Sequence, residues 1–190
     1  MSIKKVYDGY LKMYEIEENN IKYQYASRRN EDNLSKLADA VTCVIILKFP
    51  NGEEKLLLSN EYRYPIKTYT LSPTAGLVDL DDTDIIQTAL REIMEEVGIS
   101  DVDEIKVLSP MLYSSPGMTD ESNAIVLAKV NVDDSFKVNR NNITGSEMFN
   151  GSILVSKNMA RKIILEGHYN YSPIPVWTML SLMYFVLGEL

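Results

Sequence analysis

The sequence predicts an α+β sandwich, because three features follow one another along the chain. Residues 1–40 are typical of short strands, the middle alternates apolar strands with one amphipathic helix, and two further helical segments come late. A length of 190 residues fits one domain of ordinary size. We therefore predict an N-terminal strand-rich extension over residues 1–40 and a main domain over residues 41–190.

Strands are predicted wherever apolar residues alternate with polar ones or form short continuous runs. These segments are residues 10–16, 21–26, 41–49, 55–59, 102–108 and 124–132. Asn19 and Asn20 suit a turn between the first two, and Asn51-Gly52 is typical of a tight hairpin after the third. The polar segments 30–37 and 139–151 are predicted loops.

Helices are predicted at residues 85–97, 157–166 and 176–187, where apolar residues recur at helical spacing. Thr83 or Asp84 can cap the first helix, and Gly98 stands where a left-handed residue would end it. Pro173 and Pro175 introduce the last helix, which is apolar nearly all round. We expect it to be a core or subunit-interface helix.

Charge and composition exclude several classes of function. The net charge is −8, which argues against DNA, RNA or an anionic membrane as a partner. The single cysteine, Cys43, lies in an apolar run and predicts a core thiol. The N-terminus lacks the apolar segment of a signal peptide, and the segment 176–187 is too short to span a bilayer. We expect a cytoplasmic protein.

Three carboxylates stand at i, i+3 and i+4 in the central helix, at Glu92, Glu95 and Glu96. Like charges this close cost an isolated helix roughly 0.2–0.5 kcal/mol per i,i+4 pair. A hard cation would relieve the repulsion, because Mg²⁺ and Mn²⁺ prefer carboxylate oxygens. The alternative is a solvated acidic helix face. Arg91 precedes Glu95 by four residues, so an ion pair along the helix is expected.

Residues 91–99, Arg-Glu-Ile-Met-Glu-Glu-Val-Gly-Ile, resemble the second half of the Nudix signature. The first half departs from it. Gly76 resembles the opening glycine, but 14 residues separate it from Arg91, one more than the signature has. The first signature glutamate would fall on Asp82 or Thr83, so Asp82 or Asp81 is the candidate to replace that carboxylate.

This resemblance implies a Nudix α/β/α sandwich with a mixed sheet and a site for Mg²⁺, with Mn²⁺ as the alternative ion. It also implies a set of metal ligands and a residue that braces them. The implied ligands are Glu92, Glu95, Glu96 and the carbonyl of Ala75; the bracing residue is Arg91.

Three further segments resemble the ADP-ribose pyrophosphatase branch of the family. Glu61-Tyr62-Arg63-Tyr64-Pro65 resembles a strand end whose arginine contacts phosphate, and Leu71–Gly76 resembles the E-L-P-A-G loop. In that loop Ser72 replaces the usual glutamate, which indicates a changed substrate contact. Residues 113–121 resemble the acidic loop of the branch, in which Glu121, or else Asp120, is the expected general base.

The branch also implies a homodimer in which N-terminal extensions are exchanged between subunits. The base and sugar would need binding residues, partly from the extension. The candidates for substrate binding are Arg63, Tyr25, Arg28 and Gly117, with Tyr23, Tyr69 and Arg29 as weaker ones.

The implied reaction is Mg²⁺-dependent hydrolysis of ADP-ribose, or of a related nucleoside diphosphate sugar, to a nucleoside monophosphate and a sugar phosphate. Glu121, Glu95 and Arg91 are the residues expected to support catalysis. The first alternative is a GDP-mannose or other nucleotide-sugar pyrophosphatase. The second is a non-catalytic Nudix domain that binds a nucleotide sugar as a sensor.

Overall fold

The computed structural model describes residues 2–30, 37–79, 81–139 and 148–188. Most of the predicted loop 30–37, and residues 140–147 of the second predicted loop, lie outside them. The strands are β1 (Ser2–Asp8), β2 (Lys12–Glu18), β3 (Ile21–Ser27), β4 (Ala40–Lys48), β5 (Glu54–Arg63), β6 (Thr68–Ser72), β7 (Thr74–Leu77), β8 (Glu104–Tyr113), β9 (Ser122–Asn131), β10 (Phe149–Val155), β11 (His168–Tyr169) and β12 (Ser172–Pro173). The helices are α1 (Ile85–Val97), α2 (Lys157–Glu166) and α3 (Val176–Leu187), and Tyr64–Ile66 forms a 3-10 turn.

The N-terminal strands form a small antiparallel sheet in the order β1-β2-β3. Asn19 and Asn20 turn β2 into β3 with φ of 51° and 64°, a left-handed conformation that asparagine tolerates better than most residues. β1 is not predicted from the sequence. The dimerisation role of this segment stays a prediction.

The main sheet has the order β10-β5-β4-β9-β8, with β6 beside β5 and β7 beside β4. β4 and β9 are parallel, with Ala40 opposite Asn123, and the other pairs are antiparallel. The prediction of an α+β fold with a mixed sheet is therefore confirmed.

Helices cover both faces of β4 and β9. On one face Val41, Cys43 and Ile45 pack with α1. On the other face Val44 and Ile46 pack with α2 and α3. Burial on both faces explains why these strands are nearly continuous apolar runs in the sequence.

The predicted elements differ from the observed ones at the edges of the sheet and at the predicted loop 71–76, most of which lies in β6 and β7. The predicted loop 139–151 is wrong in its last part, because β10 begins at Phe149 and pairs with β5. Its apolar residues 153–155 form a run too short to stand out beside the polar residues 150–152. Within the described residues, no helix has the length and apolarity needed to cross a bilayer.

Candidate active site

The caps of α1 fix its position in front of the sheet. Asp84 is the N-cap, and its carboxylate accepts a hydrogen bond of 2.9 Å from the amide of Gln87. At the other end Gly98 adopts a φ of +73° and donates its amide to Met94. Of the two predicted caps Asp84 is the one used, and Gly98 ends the helix as predicted.

The three glutamates of α1 do not have the same environment. Glu92 and Glu96 are both 8 % exposed, whereas the side chain of Glu95 is 45 % exposed. Burial raises the pKa of the Cys43 thiol on β4, and the charges of Glu96 and Glu92 raise it further. Two of the carboxylates therefore lie close to the central sheet, while Glu95 faces solvent.

Glu92 packs directly on the backbone of β7. A Cβ atom added at Gly76 would overlap the Glu92 carboxylate. A larger residue here would therefore force the Glu92 carboxylate to move. This contact places Glu92 beside Ala75, the residue whose carbonyl is an expected metal ligand.

Arg91 connects α1 to the loop before it. Its Nη1 lies 2.7 Å from Glu92 Oε1 and 3.6 Å from Glu95 Oε2, so the ion pair expected between Arg91 and Glu95 is present. Its Nη2 donates to the carbonyl of Leu77 at 2.9 Å and to Asp82 Oδ2 at 3.0 Å. Burial opposes the charged form, but the hydrogen bond to Asp82 and the charges of Glu92, Asp79 and Asp82 raise the pKa of Arg91 above its usual value.

Asp82 is enclosed by hydrogen bonds within this loop. Its Oδ2 accepts from the amide of Asp79 at 2.9 Å, from Thr88 Oγ1 at 2.8 Å and from Arg91. Burial works against ionisation, but these bonds outweigh it and hold the pKa of Asp82 below its usual value. Asp82 thus closes the loop that carries the extra residue.

A cleft of about 590 Å³ brings several of the predicted site residues together. It is lined by Ala75 and Gly76 of β7, Glu96 of α1, Arg63 at the end of β5, Arg28 after β3 and Glu121 before β9. Segments far apart in the sequence therefore contribute to one concave site, as enzyme sites usually do.

Other predicted residues lie outside the cleft lining. Tyr25 stacks on Tyr14 at a centroid distance of 5.5 Å. The carbonyl of Gly117 accepts a hydrogen bond from the hydroxyl of Tyr23. Tyr69 packs edge-on against Tyr62 at 5.2 Å. These side chains take part in packing and loop docking in a single chain.

The acidic loop is docked on β3 of the N-terminal sheet. The Ala26 amide donates to the Met118 carbonyl at 2.9 Å. Asp120 accepts from Ser27 Oγ at 2.9 Å, whereas Glu121 lines the cleft and lies 3.4 Å from Arg28 Nε. Of the two candidate bases, Glu121 is the one positioned at the cleft.

Two cleft residues were missed in the sequence. Glu61 is 8 % exposed, lines the cleft and pairs with Arg63 at 2.5 Å. Glu61 lies two residues before Arg63 in a strand, so both side chains are on one face. This spacing could have predicted that Glu61 belongs to the site. Trp177, at the start of α3, also lines the cleft. Pro173 and Pro175 indicated where this helix begins, but no local signal indicated that Trp177 would reach the cleft.

The donor chemistry of the cleft fits a hard divalent cation. Of the expected ligands, Glu96 and Ala75 line the cleft, whereas Glu92 and Glu95 lie outside its lining. Glu96, the carbonyl of Ala75 and Glu121 offer oxygen ligands, which Mg²⁺ and Mn²⁺ prefer. Within the ranges that the structure describes, no three histidine, cysteine or acidic side chains already converge as a metal cluster. The site therefore has suitable donors, and an ion would have to draw the carboxylates together.

Comparison with known proteins connects this chain to a family. The family described as NUDIX domain matches residues 36–150. An ADP-sugar pyrophosphatase of Mus musculus is 30 % identical over 123 residues, 65 % of this chain and 55 % of the relative. Putative nudix hydrolase 2 of Caenorhabditis elegans is 30 % identical over 105 residues, 55 % of this chain and 46 % of the relative. Nudix hydrolase 14, chloroplastic, of Arabidopsis thaliana is 33 % identical over 99 residues, 47 % of this chain and 32 % of the relative. The chain thus spans about half or less of the length of these relatives.

Proposed function

Because the chain belongs to the Nudix family, we propose that it hydrolyses the diphosphate linkage of ADP-ribose or a related nucleoside diphosphate sugar. The observation that carries this proposal is the single cleft shared by Glu96, Ala75, Glu121 and Arg63. The name of the mouse relative, an ADP-sugar pyrophosphatase, supports the same substrate class. With ADP-ribose the products would be AMP and ribose 5-phosphate.

Nudix proteins generally use a divalent metal ion, and we propose Mg²⁺, with Mn²⁺ as the alternative. Glu92, Glu96 and the carbonyl of Ala75 would hold it, and Glu95 would join them from the exposed side of α1. When bound, the ion would stabilise negative charge on the diphosphate. Arg91 would keep Glu92 in place through the 2.7 Å contact.

Glu121 would act as the general base and accept a proton from the attacking water. Its place in the cleft supports this role over Asp120, whose carboxylate is held by Ser27. Arg28, 3.4 Å from Glu121, would orient that carboxylate and reach the substrate. Arg63 would bind a phosphate oxygen, for which its planar donors are suited, in exchange for part of its contact with Glu61.

Tyr25 and Gly117 stay predictions as substrate-binding residues, since neither lines the cleft of one chain. The homodimer and the cytoplasmic location also stay predictions. A GDP-mannose or other nucleotide-sugar pyrophosphatase is the second candidate. Ser72 favours it, because this residue is 2 % exposed, lies near Thr70 and offers no carboxylate to the substrate.

The test is a substrate panel of ADP-ribose, GDP-mannose, UDP-glucose and diadenosine polyphosphates, each with Mg²⁺ and with EDTA. We expect metal-dependent release of a nucleoside monophosphate, largely lost in Glu96→Gln. Glu121→Gln should lower kcat by about 10²–10⁴-fold, the usual contribution of a general base. Glu166→Gln, on the exposed end of α2, is the matched control and should keep full activity.

The panel also separates the hydrolase from a sensor. If no compound is hydrolysed while one of them still raises the melting temperature, the chain is a binding domain and the proposed reaction is wrong. Release that persists in EDTA or in Glu96→Gln would reject the role assigned to the carboxylates.

A further inference from the structure

Trp177 and several apolar residues line the same cleft as the carboxylates. Trp177 is the only tryptophan of the chain and stands in the first turn of α3. Its apolar companions in the lining come from the 3-10 turn after β5 and from the segment that leads into α3. They are Pro65, Ile66, Pro173, Ile174 and Pro175.

The position of Trp177 is fixed relative to the expected metal ligands. The next residue, Thr178, is fully buried and donates its hydroxyl to the carbonyl of Leu71 at 2.5 Å. Leu71 lies on β6, four residues before Ala75. Deeper in α3, Leu182 and Phe185 are buried in the core. The start of α3, and Trp177 with it, is therefore anchored to β6, the strand that precedes Ala75 in the chain.

Other aromatic rings near the cleft have different roles. Among the described residues that line it, the aromatic side chains are Tyr10 and Trp177. Tyr10 is 79 % exposed, and its ring is covered by the guanidinium of Arg28 at 5.4 Å. Tyr25 and Tyr69 pack on other tyrosines. Trp177 is half-buried and packs partly against the core that α2 and α3 form with the sheet. Because it also lines the cleft, it is the cleft ring that the fold holds in place.

We propose that Trp177 is the platform on which the base of the nucleotide stacks. A planar heteroaromatic base stacks on an indole ring, and such contacts tolerate any base because each presents a flat face. Trp177 then sets a preference for substrates with a base over phosphorylated sugars without one. This inference rests on the proposed function, since it assigns the nucleoside part of that substrate.

The direct test uses the fluorescence of the only tryptophan. The full chain is titrated with AMP and, separately, with ribose 5-phosphate, both in EDTA. We expect saturable quenching of Trp177 emission by AMP and none by ribose 5-phosphate, which lacks a base. An equal change with both compounds, or no change with AMP, overturns the proposal.

Two variants test the same contact during turnover. Trp177→Leu keeps an apolar side chain without a ring and should raise KM for the substrate about tenfold or more, while Trp177→Phe should raise it about threefold or less. Thermal unfolding of both variants controls for folding, and the titration of the unmodified chain decides the proposal if Trp177→Leu does not fold.

The results separate this inference from the proposed function. An unchanged KM in a folded Trp177→Leu variant rejects the stacking role and leaves the hydrolase intact. Quenching by AMP, together with no hydrolysis of any nucleotide sugar, rejects the reaction and leaves the stacking role intact.

Discussion

Arg29 and Asp39 form an ion pair with two hydrogen bonds, Nε to Oδ1 at 2.8 Å and Nη2 to Oδ2 at 2.7 Å. Arg29 follows β3, Asp39 precedes β4, and the side chain of each is 12 % exposed. Asp39 also accepts 2.8 Å hydrogen bonds from the amide and hydroxyl of Ser122, which directly follows Glu121. One carboxylate therefore connects the N-terminal sheet, the central sheet and the acidic loop.

This pair predicts a pH-dependent contribution to stability. Burial disfavours ionised Asp39, but the hydrogen bonds from Arg29 and Ser122 outweigh it and hold the pKa of Asp39 below its usual value. The native state therefore binds fewer protons than the unfolded state. The contribution is complete above the unfolded pKa of about 3.9 and is lost as the pH falls through the lower native pKa.

We expect Asp39→Asn to lower the free energy of unfolding at pH 7, and the difference from the unmodified chain to shrink as the pH falls below about 4. Urea unfolding at several pH values measures this. Arg29→Lys keeps the charge but not the planar pair of donors, so it should lower the free energy of unfolding by less than Asp39→Asn does. A difference that stays constant down to pH 3 would contradict the assigned cause.

Gly76→Ala should displace Glu92 and lower both stability and activity. The added Cβ would overlap the Glu92 carboxylate, the end of a flexible side chain that Arg91 also holds, so the cost should lie at the low end of the roughly 1–3 kcal/mol of overpacking. The control is the same substitution in a Glu92→Ala chain, where the overlap is absent. The added cost of Gly76→Ala, measured by urea unfolding, should be much smaller there. If Gly76→Ala costs the same in both backgrounds, its added Cβ clashes with a group other than Glu92.

Asp82→Asn should destabilise the chain without changing its need for metal. Asp82 already accepts hydrogen bonds from Thr88, Arg91 and the amide of Asp79. Activity is measured against Mg²⁺ concentration for Asp82→Asn and Glu96→Gln, each beside the unmodified chain. We expect a higher metal requirement in Glu96→Gln alone. The same increase in Asp82→Asn would show that Asp82 replaces the absent signature glutamate.

Local signals explain why parts of the fold were predictable. The end of α1 was predicted at Gly98 and its start to within one residue, with Thr83 or Asp84 as the cap, because these residues act within one turn of the helix ends. β4 and β9 were recognisable because both of their faces are buried. In contrast, β1 and β10 were not predicted. Both are edge strands, but so are β3 and β8, which were predicted; the difference is that β1 and β10 lack a clear apolar pattern of their own.

The same difference between local and long-range contacts applies to the candidate active site. Glu92, Glu95, Glu96 and Arg91 belong to one helix, so their spacing in the sequence predicted the contact between Arg91 and Glu95. Trp177 reaches the cleft because Thr178 bonds to Leu71, 107 residues earlier in the chain. No local pattern encodes a contact over that separation. The hydrogen bond between Asp120 and Ser27, which are 93 residues apart, could not be predicted from the sequence either.

The hydrogen bond between Thr178 and Leu71 should be a main determinant of the position of α3. Thr178→Val keeps the shape of the side chain but leaves the buried carbonyl of Leu71 without this donor, which should cost about 1–3 kcal/mol of unfolding free energy. Thr83→Val is the matched control, because its hydroxyl bonds Gln87 on the exposed surface, where water can replace it; we expect less than about 0.5 kcal/mol there. Since Thr178 holds its neighbour, Trp177 emission should also shift to longer wavelength in Thr178→Val. If that variant is as stable as the control and its emission is unchanged, the packing of Leu182 and Phe185 alone positions the start of α3.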